Sequence, residues 1–153
     1  MSPDIDTSTP VLVTGATGYV AGWLIKDLLA AGVTVHGTVR DPDNTAKVAH
    51  LTALADSSPG TLRLFRAQLL EDGSFDEAMA GCGIVFHTAS PFTSDFDDAQ
   101  RDLVDPAVEG TRTVLESADR TESVTRVVLT SSVAAIYTDT VDCAEAGGTL
   151  TCL

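Results

Sequence analysis

The residues best suited to chemistry in this sequence form a glycine-rich turn near the amino terminus. An apolar, β-branched run at 11–13 leads into Thr14-Gly-Ala-Thr-Gly18 and then into a helical pattern. Gly15 can take the positive φ of a tight turn, and Gly18 lets backbone N–H groups approach a pyrophosphate at a helix N-terminus. A glycine turn alone is weak evidence, but the strand before it and the amphipathic run after it supply the expected context. The pattern therefore favours a dinucleotide-binding loop over a bare turn.

The end of the next predicted strand carries Arg40 where an NAD-binding domain usually has an acid, about 20 residues after the glycines. A guanidinium can bind a ribose 2′-phosphate through two parallel hydrogen bonds, and Lys47 can add a second cation from the following helix. These residues favour NADP over NAD. As an alternative, Arg40 forms a surface ion pair with Asp41 or Asp43, and Asp41 serves as the ribose acid.

Two more predicted strands end in polar or small residues. The fourth runs into Val85-Phe-His-Thr-Ala-Ser-Pro91, where small side chains allow a cofactor to cross the sheet edge. His87 is interpreted as a packed structural group rather than a catalytic base. The fifth ends at Ser131 and Ser132, where a serine can stabilise a developing alkoxide; the alternative is that both hydroxyls satisfy loop backbone groups.

Strand and helix patterns alternate along the chain, which is typical of βαβ units in a parallel sheet. Right-handed crossovers then give the strand order 3-2-1-4-5, a Rossmann-type doubly wound α/β sheet with its ligand at the carboxyl ends of the strands. The strands are predicted near 11–14, 33–39, 61–66, 83–88 and 125–131. The helices are predicted near 18–31, 43–56, 74–80 and 101–119.

The helix near 101–119 contains Pro106, so a kink is expected, and its apolar stripe is expected to face the sheet. Glu109 and Arg112 are spaced to form a surface ion pair. The stripe consists of Leu103, Ala107, Val108, Thr111, Val114, Leu115 and Ala118. The expected helix N-caps are Asp43 or Asn44 and Ser74, and the expected helix stops are Gly32 and Gly81.

Length and composition fit one domain: the chain has 153 residues, of which 44% are apolar. Its formal charge of −13 argues against a nucleic acid or an anionic membrane as partner. Cys82, Cys143 and Cys152 form an odd set without a Cys-x-x-Cys spacing, so neither a disulfide framework nor a metal site is expected. Neither a secretory leader nor an apolar run of about 20 residues is found, so we expect a soluble cytoplasmic protein.

Three segments are expected: a flexible start at 1–9, a cofactor-binding domain at 10–138 and an irregular tail at 139–153 that shows no sustained period. An uncovered sheet edge would favour self-association.

Several motifs together resemble the extended short-chain dehydrogenase/reductases of the NAD-dependent epimerase/dehydratase superfamily. The similarity is greatest to the dihydroflavonol reductase, cinnamoyl-CoA reductase and aldehyde reductase group, and it covers about residues 10–140, the amino-terminal part of such enzymes. The motifs are Thr14-Gly-Ala-Thr-Gly-Tyr-Val-Ala-Gly-Trp23, Thr38-Val-Arg-Asp-Pro42, Gly73-Ser-Phe-Asp-Glu77, Val85-Phe-His-Thr-Ala-Ser-Pro91, Pro106-Ala-Val-Glu-Gly-Thr111 and Leu129-Thr-Ser-Ser132.

The resemblance implies a binding site for NADP along these motifs, with Ser132 as the catalytic serine. At Gln68, before Leu69, the family usually has an aspartate that contacts the adenine amino group; a glutamine carbonyl can still accept that hydrogen bond. The implied cofactor contacts are Gly15, Thr17, Gly18, Tyr19 and Val20 around the pyrophosphate, Arg40 and Lys47 at the 2′-phosphate, Thr88, Ala89 and Ser90 along the ribose, and Gln68 and Leu69 at the adenine.

The resemblance also implies reduction of an aldehyde or ketone by hydride transfer. That chemistry uses a Tyr-x-x-x-Lys pair beyond the serine, yet Lys26 and Lys47 are the only lysines, and Tyr137 is followed four residues later by Val141. We therefore expect a cofactor-binding part, without the carboxyl-terminal substrate lobe, that is inactive alone. The alternatives are an enzyme of the nucleotide-sugar epimerase or dehydratase type and a non-catalytic NADP-binding short form.

Overall fold

The computed structural model describes residues 7–91 and 95–135. Five parallel strands form one sheet in the order β3-β2-β1-β4-β5, which confirms the predicted 3-2-1-4-5 arrangement. Tyr137, Cys143, Cys152 and the expected tail at 139–153 lie outside the described residues. The strands are β1 Val11–Val13, β2 Thr34–Val39, β3 Thr61–Arg66, β4 Ile84–His87 and β5 Arg126–Leu129. The helices are α1 Tyr19–Ala30, α2 Thr45–Asp56, α3 Asp76–Met79 and α4 Asp105–Arg120, with a π-helical turn at Gln100–Val104 and a 3₁₀ turn at Val133–Ala135.

The hydrophobic core has two layers because β1 is central and apolar on both faces. Val11 and Val13 pack on one side with Ile25 of α1, in a cluster that α2 completes. Leu12 points to the other side, where it packs in a second cluster with Val114 of α4 and with residues of α3. The period-2 alternation of a strand thus places helices on both faces of the sheet, as a doubly wound fold requires.

Most of the predicted helix signals are confirmed. Asn44 caps α2, since its Oδ1 accepts a hydrogen bond from the N–H of Lys47 at 3.2 Å. Gly32 and Gly81 follow helices with φ of +83° and +77°, the conformation that ends a helix and favours glycine. The prediction of Ser74 as an N-cap is wrong: α3 begins at Asp76, and the Ser74 hydroxyl bonds the loop that precedes it.

The long helix predicted near 101–119 begins differently from expectation. The α-helical hydrogen bonds of α4 start at Asp105, so Pro106 lies in its first turn, where proline is well tolerated. The preceding turn, Gln100–Val104, is π-helical. The helical geometry thus changes from π to α just before Pro106, and the kink there stays a prediction.

The face of α4 that contacts the sheet was also predicted only in part. Val114 and Ala118 are buried as expected, but Val108 and Leu115 are 55% and 42% exposed. Small residues take the places of larger apolar ones on the inner face: a Cβ on Gly110 would lie 3.1 Å from the Cβ of Leu69. The inner face of α4 is thus the one whose small residues allow the helix to pack closely, and the apolar residues Val108 and Leu115 remain on the outer face. None of the helices in the described ranges is long and apolar enough to cross a membrane.

Candidate functional site

The glycine turn joins β1 to α1 at the carboxyl edge of the sheet. Gly15 has a φ of +66°, and a Cβ there would lie 3.0 Å from the Cβ of Ala89 in the segment after β4. Gly15 is therefore required both by its backbone conformation and by the close approach of a second chain segment. The N–H of Ala16 donates to the carbonyl of Thr38 at 2.8 Å, which fixes the turn against the end of β2.

The N-terminus of α1 is open to an anion. No described side chain caps Gly18, and the first turn of α1 contains no acidic residue. The N–H groups of Tyr19 and Val20 donate no hydrogen bond to any described residue, whereas the N–H of Gly22 already bonds the carbonyl of Gly18. Unpaired N–H groups at a helix N-terminus carry partial positive charge and bind phosphate.

A threonine hydroxyl ties this turn to the end of β4. Thr14 Oγ1 accepts hydrogen bonds from the N–H groups of Thr88 and Ala89, both at 3.1 Å, and lies 2.9 Å from His87 Nδ1. Two donors occupy the hydroxyl's lone pairs, so its own hydrogen goes to His87 Nδ1, which must be an unprotonated acceptor. Thr88 Oγ1 in turn donates to the carbonyl of Thr14 at 2.6 Å.

His87 is consequently a structural group, as interpreted from the sequence. Its side chain is 2% exposed, and burial lowers its pKa from the ordinary value of 6.5. The neutral ring, protonated on Nε2, is the form that the Thr14 hydroxyl requires.

These elements border a cleft of about 670 Å³ at the carboxyl ends of β1, β2, β3 and β4. Most of the residues predicted for the cofactor site line it, so the fold brings together four separate stretches of the sequence. The predicted residues among them are Gly15, Thr17, Gly18, Arg40, Gln68, Leu69, Thr88, Ala89 and Ser90. A ligand cleft at the point where the strand order reverses is what a doubly wound sheet predicts.

Four predicted site residues do not line this cleft. Tyr19 and Val20 begin α1 with exposed side chains, so only their backbone N–H groups are placed to bind an anion at the helix start. Lys47 is exposed in the first turn of α2. Ser132 is exposed beyond β5, and its carbonyl accepts a hydrogen bond from the N–H of Ala135 at 2.9 Å.

Arg40 is the one cation among the described residues that line the cleft. The alternative in which it pairs with Asp41 or Asp43 is not found: no carboxylate of the described residues lies within 4.0 Å of its guanidinium. Asp41 Oδ1 instead accepts the N–H of Asp43 at 3.0 Å. The guanidinium is therefore available to an anionic ligand in a protein whose net charge is −13.

Sequence reasoning missed the two carboxylates of the cleft, Glu71 and Asp102, because neither belongs to a motif. Asp102 accepts the N–H groups of Asp97 and Asp98, each at 3.1 Å, and forms an ion pair with Arg101 at 2.6 Å. The ion pair with Arg101, together with these N–H donors, lowers the pKa of Asp102 to about 2. The missed uncharged lining residues are Thr38, Val39, Ala67, Leu70, Phe75 and Pro91.

Neither the buried thiol nor a metal-binding cluster gives the described residues a second site. Cys82 is fully buried, and burial raises the pKa of its thiol to about 11, so it is not a nucleophile. Within 7–91 and 95–135, no cluster of three or more His, Cys, Asp or Glu side chains could hold a metal ion.

Comparison with known proteins gives a consistent picture. Residues 11–147 match the model of the NAD dependent epimerase/dehydratase family. The chain is 52% identical over 134 residues to a putative anthocyanidin reductase of Ginkgo biloba, covering 88% of this chain and 39% of the relative. It is 54% identical over 126 residues to the cinnamoyl-CoA reductase CAD2 of Medicago truncatula, covering 82% and 38%.

Among solved structures, Gre2 of Candida albicans in complex with NADPH is similar, with a TM-score of 0.71 and 35% identity over 84% of this chain and 38% of that one. Yeast methylglyoxal/isovaleraldehyde reductase Gre2 complexed with NADPH has a TM-score of 0.70 at the same identity and coverage. The chain thus spans less than two fifths of the length of these relatives.

Proposed function

This chain belongs to the NAD dependent epimerase/dehydratase family, and from that premise we propose that it is the cofactor-binding part of an NADPH-dependent reductase of aldehydes or ketones. The observation that carries the proposal is that the uncapped N-terminus of α1 and the unpaired guanidinium of Arg40 border the same cleft. One suits a pyrophosphate and the other a 2′-phosphate. The reductases among the relatives, two of them solved with NADPH, support the same assignment.

The residues divide the cofactor between them along the sheet edge. We assign the pyrophosphate to the turn of Gly15, Thr17 and Gly18 with the first N–H groups of α1, and the 2′-phosphate to Arg40. Lys47, in the first turn of α2, adds long-range attraction rather than a contact, since it does not line the cleft. The segment Thr88, Ala89 and Ser90 lies along the nicotinamide ribose, and Gln68 and Leu69 border the adenine. Residues 10–138 make up this domain.

In the reaction, NADPH supplies a hydride when bound. Ser132 is proposed to hold the carbonyl oxygen of the substrate by donating a hydrogen bond, which strengthens as negative charge develops on that oxygen. Protonation of the oxygen needs an acid, and the family resemblance assigns it to a tyrosine activated by a lysine four residues later. The 153 residues contain no such pair, so this chain binds the cofactor without completing the reaction.

The test is a calorimetric titration of the 153-residue chain with NADPH and with NADH. We expect Arg40→Ala to weaken NADPH binding by about 10- to 100-fold, the worth of a charge-assisted hydrogen-bond pair, and to leave NADH binding within about twofold. Arg126→Ala is the matched control, because it removes an exposed arginine at the opposite end of the sheet.

Two results would contradict the proposal. If neither dinucleotide binds, the cleft is not a cofactor site in this chain. If NADH binds more than about tenfold more tightly than NADPH, the Arg40 assignment is wrong, and the result favours an NAD-dependent epimerase or dehydratase over an NADPH-dependent reductase.

A further inference from the structure

The loop after β3 closes the cleft on the side of the sheet where the adenosine half of a dinucleotide belongs. The glycine turn follows β1 and Arg40 follows β2. A dinucleotide with its phosphates at these two positions would therefore place its adenine beyond them, at the end of β3. Gln68 and Glu71 are the polar side chains that this loop adds to the cleft lining. The position of the base rests on the proposed function; the orientation of these two side chains is a separate observation.

The amide of Gln68 is held in one orientation. Its Nε2 donates a hydrogen bond to Glu71 Oε2 at 3.1 Å, and a carboxylate can only accept, so the nitrogen must face Glu71. Glu71 is itself held by the guanidinium of Arg66, at 3.5 Å from the same oxygen. The main chain of Gln68 is fixed too, because the Ser74 hydroxyl bonds both its carbonyl, at 2.8 Å, and its N–H, at 3.2 Å.

This arrangement leaves an acceptor and a donor next to each other in the chain. With Nε2 engaged, the remaining polar atom of the Gln68 side chain is the acceptor Oε1. The N–H of the next residue, Leu69, donates no hydrogen bond to any described residue. An adenine presents a donating 6-amino group beside the accepting N1, which matches this pair, whereas a 6-oxopurine presents the reverse pattern.

We propose that Glu71 is a positioning residue that fixes the Gln68 amide with Oε1 toward the base, and that the cleft thereby selects adenine over hypoxanthine. Glu71 does not touch the base in this scheme. Glu71 excludes the alternative orientation of the amide, in which Nε2 would donate a hydrogen bond to the 6-oxo group and the cleft would bind hypoxanthine.

The experiment compares binding of NADPH with binding of its analogue, reduced nicotinamide hypoxanthine dinucleotide phosphate, by calorimetric titration of the 153-residue chain. The unaltered chain is expected to prefer NADPH by about tenfold, the effect of turning two hydrogen bonds into repulsive contacts. Glu71→Ala frees the amide to turn, so the preference is expected to fall to about threefold, the part that remains because the Leu69 N–H still opposes the N1–H of hypoxanthine. Loss of the Glu71 charge changes the affinity for both phosphate-rich ligands alike and cancels in the ratio.

Two further variants separate orientation from other effects. Adding Gln68→Asp to Glu71→Ala restores the adenine preference, because a carboxylate accepts a hydrogen bond whichever way it turns. Glu77→Ala removes an exposed carboxylate of α3 that lies outside the cleft lining, and it leaves the ratio unchanged.

The outcomes distinguish this inference from the proposed function. An unchanged ratio in Glu71→Ala overturns the role of Glu71. Equal binding of both dinucleotides by the unaltered chain overturns the base selection but leaves a cofactor site. Failure of the unaltered chain to bind NADPH overturns both.

Discussion

At the scale of single residues, Thr14 and His87 connect the glycine turn to the end of β4 in a way that depends on protonation. The Thr14 hydroxyl accepts two N–H groups, so it can donate only to an unprotonated His87. A protonated ring would place a second donor against a hydroxyl whose lone pairs are already used. The cleft is therefore built around a histidine that must stay neutral.

This dependence predicts a loss of stability in mild acid. Burial lowers the folded-state pKa of His87 below 6.5, so as the pH falls through 6.5 the unfolded chain binds a proton that the folded chain does not. The free energy of unfolding must then decrease as the pH falls, until the folded-state pKa is also passed. Urea unfolding between pH 7.5 and about 5.5 should show this decrease in the unaltered chain, and a smaller decrease in His87→Gln, whose side-chain oxygen can accept from Thr14 but does not titrate.

The comparison isolates His87 because His36 and His50 are present in both chains. Asp76 and Asp102, whose pKa values are lowered from 3.8, change protonation only below this range. An equal decrease in the two chains would contradict the assignment.

Residue types at strand ends were predictable where a motif marks them, and not elsewhere. Gly15, Arg40 and Ala89 follow apolar runs, and the topology then requires them to meet at one edge. Glu71 and Asp102 reach the same cleft through loop hydrogen bonds that no spacing rule encodes. Ser74 shows the same limit, since a serine before a helical pattern can cap the helix or close the loop, and here it closes the loop.

At the scale of elements, two glycines illustrate how local packing determines the effect of a substitution on the free energy of unfolding. Gly60, before β3, lies against the end of α1: a Cβ there would be 2.5 Å from the carbonyl oxygen of Val33 and 2.8 Å from Leu29 Cα. Gly22 lies within α1, and a Cβ there would meet nothing within 4 Å. The same substitution therefore acts in opposite directions at the two positions.

We expect Gly60→Ala to lower the free energy of unfolding by about 2–3 kcal/mol, because rigid backbone must move to admit the methyl group. Gly22→Ala should raise it by about 0.5–1 kcal/mol through helix propensity. Urea unfolding of the two variants beside the unaltered chain measures both. Destabilisation by Gly22→Ala, or a neutral Gly60→Ala, would show that these contacts do not limit packing.

The elements themselves were well predicted because their apolar periods agree with their turn residues. Each strand lies within two residues of its predicted range, and Gly32 and Gly81 end their helices as expected. The inner face of α4 was predicted less well, because hydrophobicity favoured the exposed Val108 and Leu115 over Gly110, which is buried close to Leu69. Periodicity ranks the faces of a helix by apolar character. In α4 the close contact with Leu69 requires a small side chain at position 110, which periodicity does not detect.

At the scale of the whole molecule, the proposed cofactor site and the proposed reaction are separable. The described cleft has a glycine turn, a cation and the loop after β3, whereas the sequence contains no Tyr-x-x-x-Lys pair. The 153-residue chain is therefore predicted to bind NADPH without consuming it when aldehydes or ketones such as methylglyoxal are added.

The measurement is nicotinamide absorbance over time with a saturating carbonyl compound, beside a binding titration of the same preparation. Oxidation of NADPH that disappears in Ser132→Ala would contradict the prediction, because it would show a complete catalytic group within these residues. Oxidation that persists in that variant would indicate a contaminating enzyme.

The strand order has a consequence for how the molecule folds. β1 lies between β2 and β4, and its pairing with β4 joins residues 73 positions apart, as in Val11 with Ile84. Contacts of such separation form slowly, since loop closure must precede any gain from pairing. During synthesis β1, β2 and β3 emerge first, but the Thr14 hydroxyl finds its partners only when the segment after β4 arrives. The proposed dinucleotide site is thus completed late, at the moment when the two halves of the sheet join.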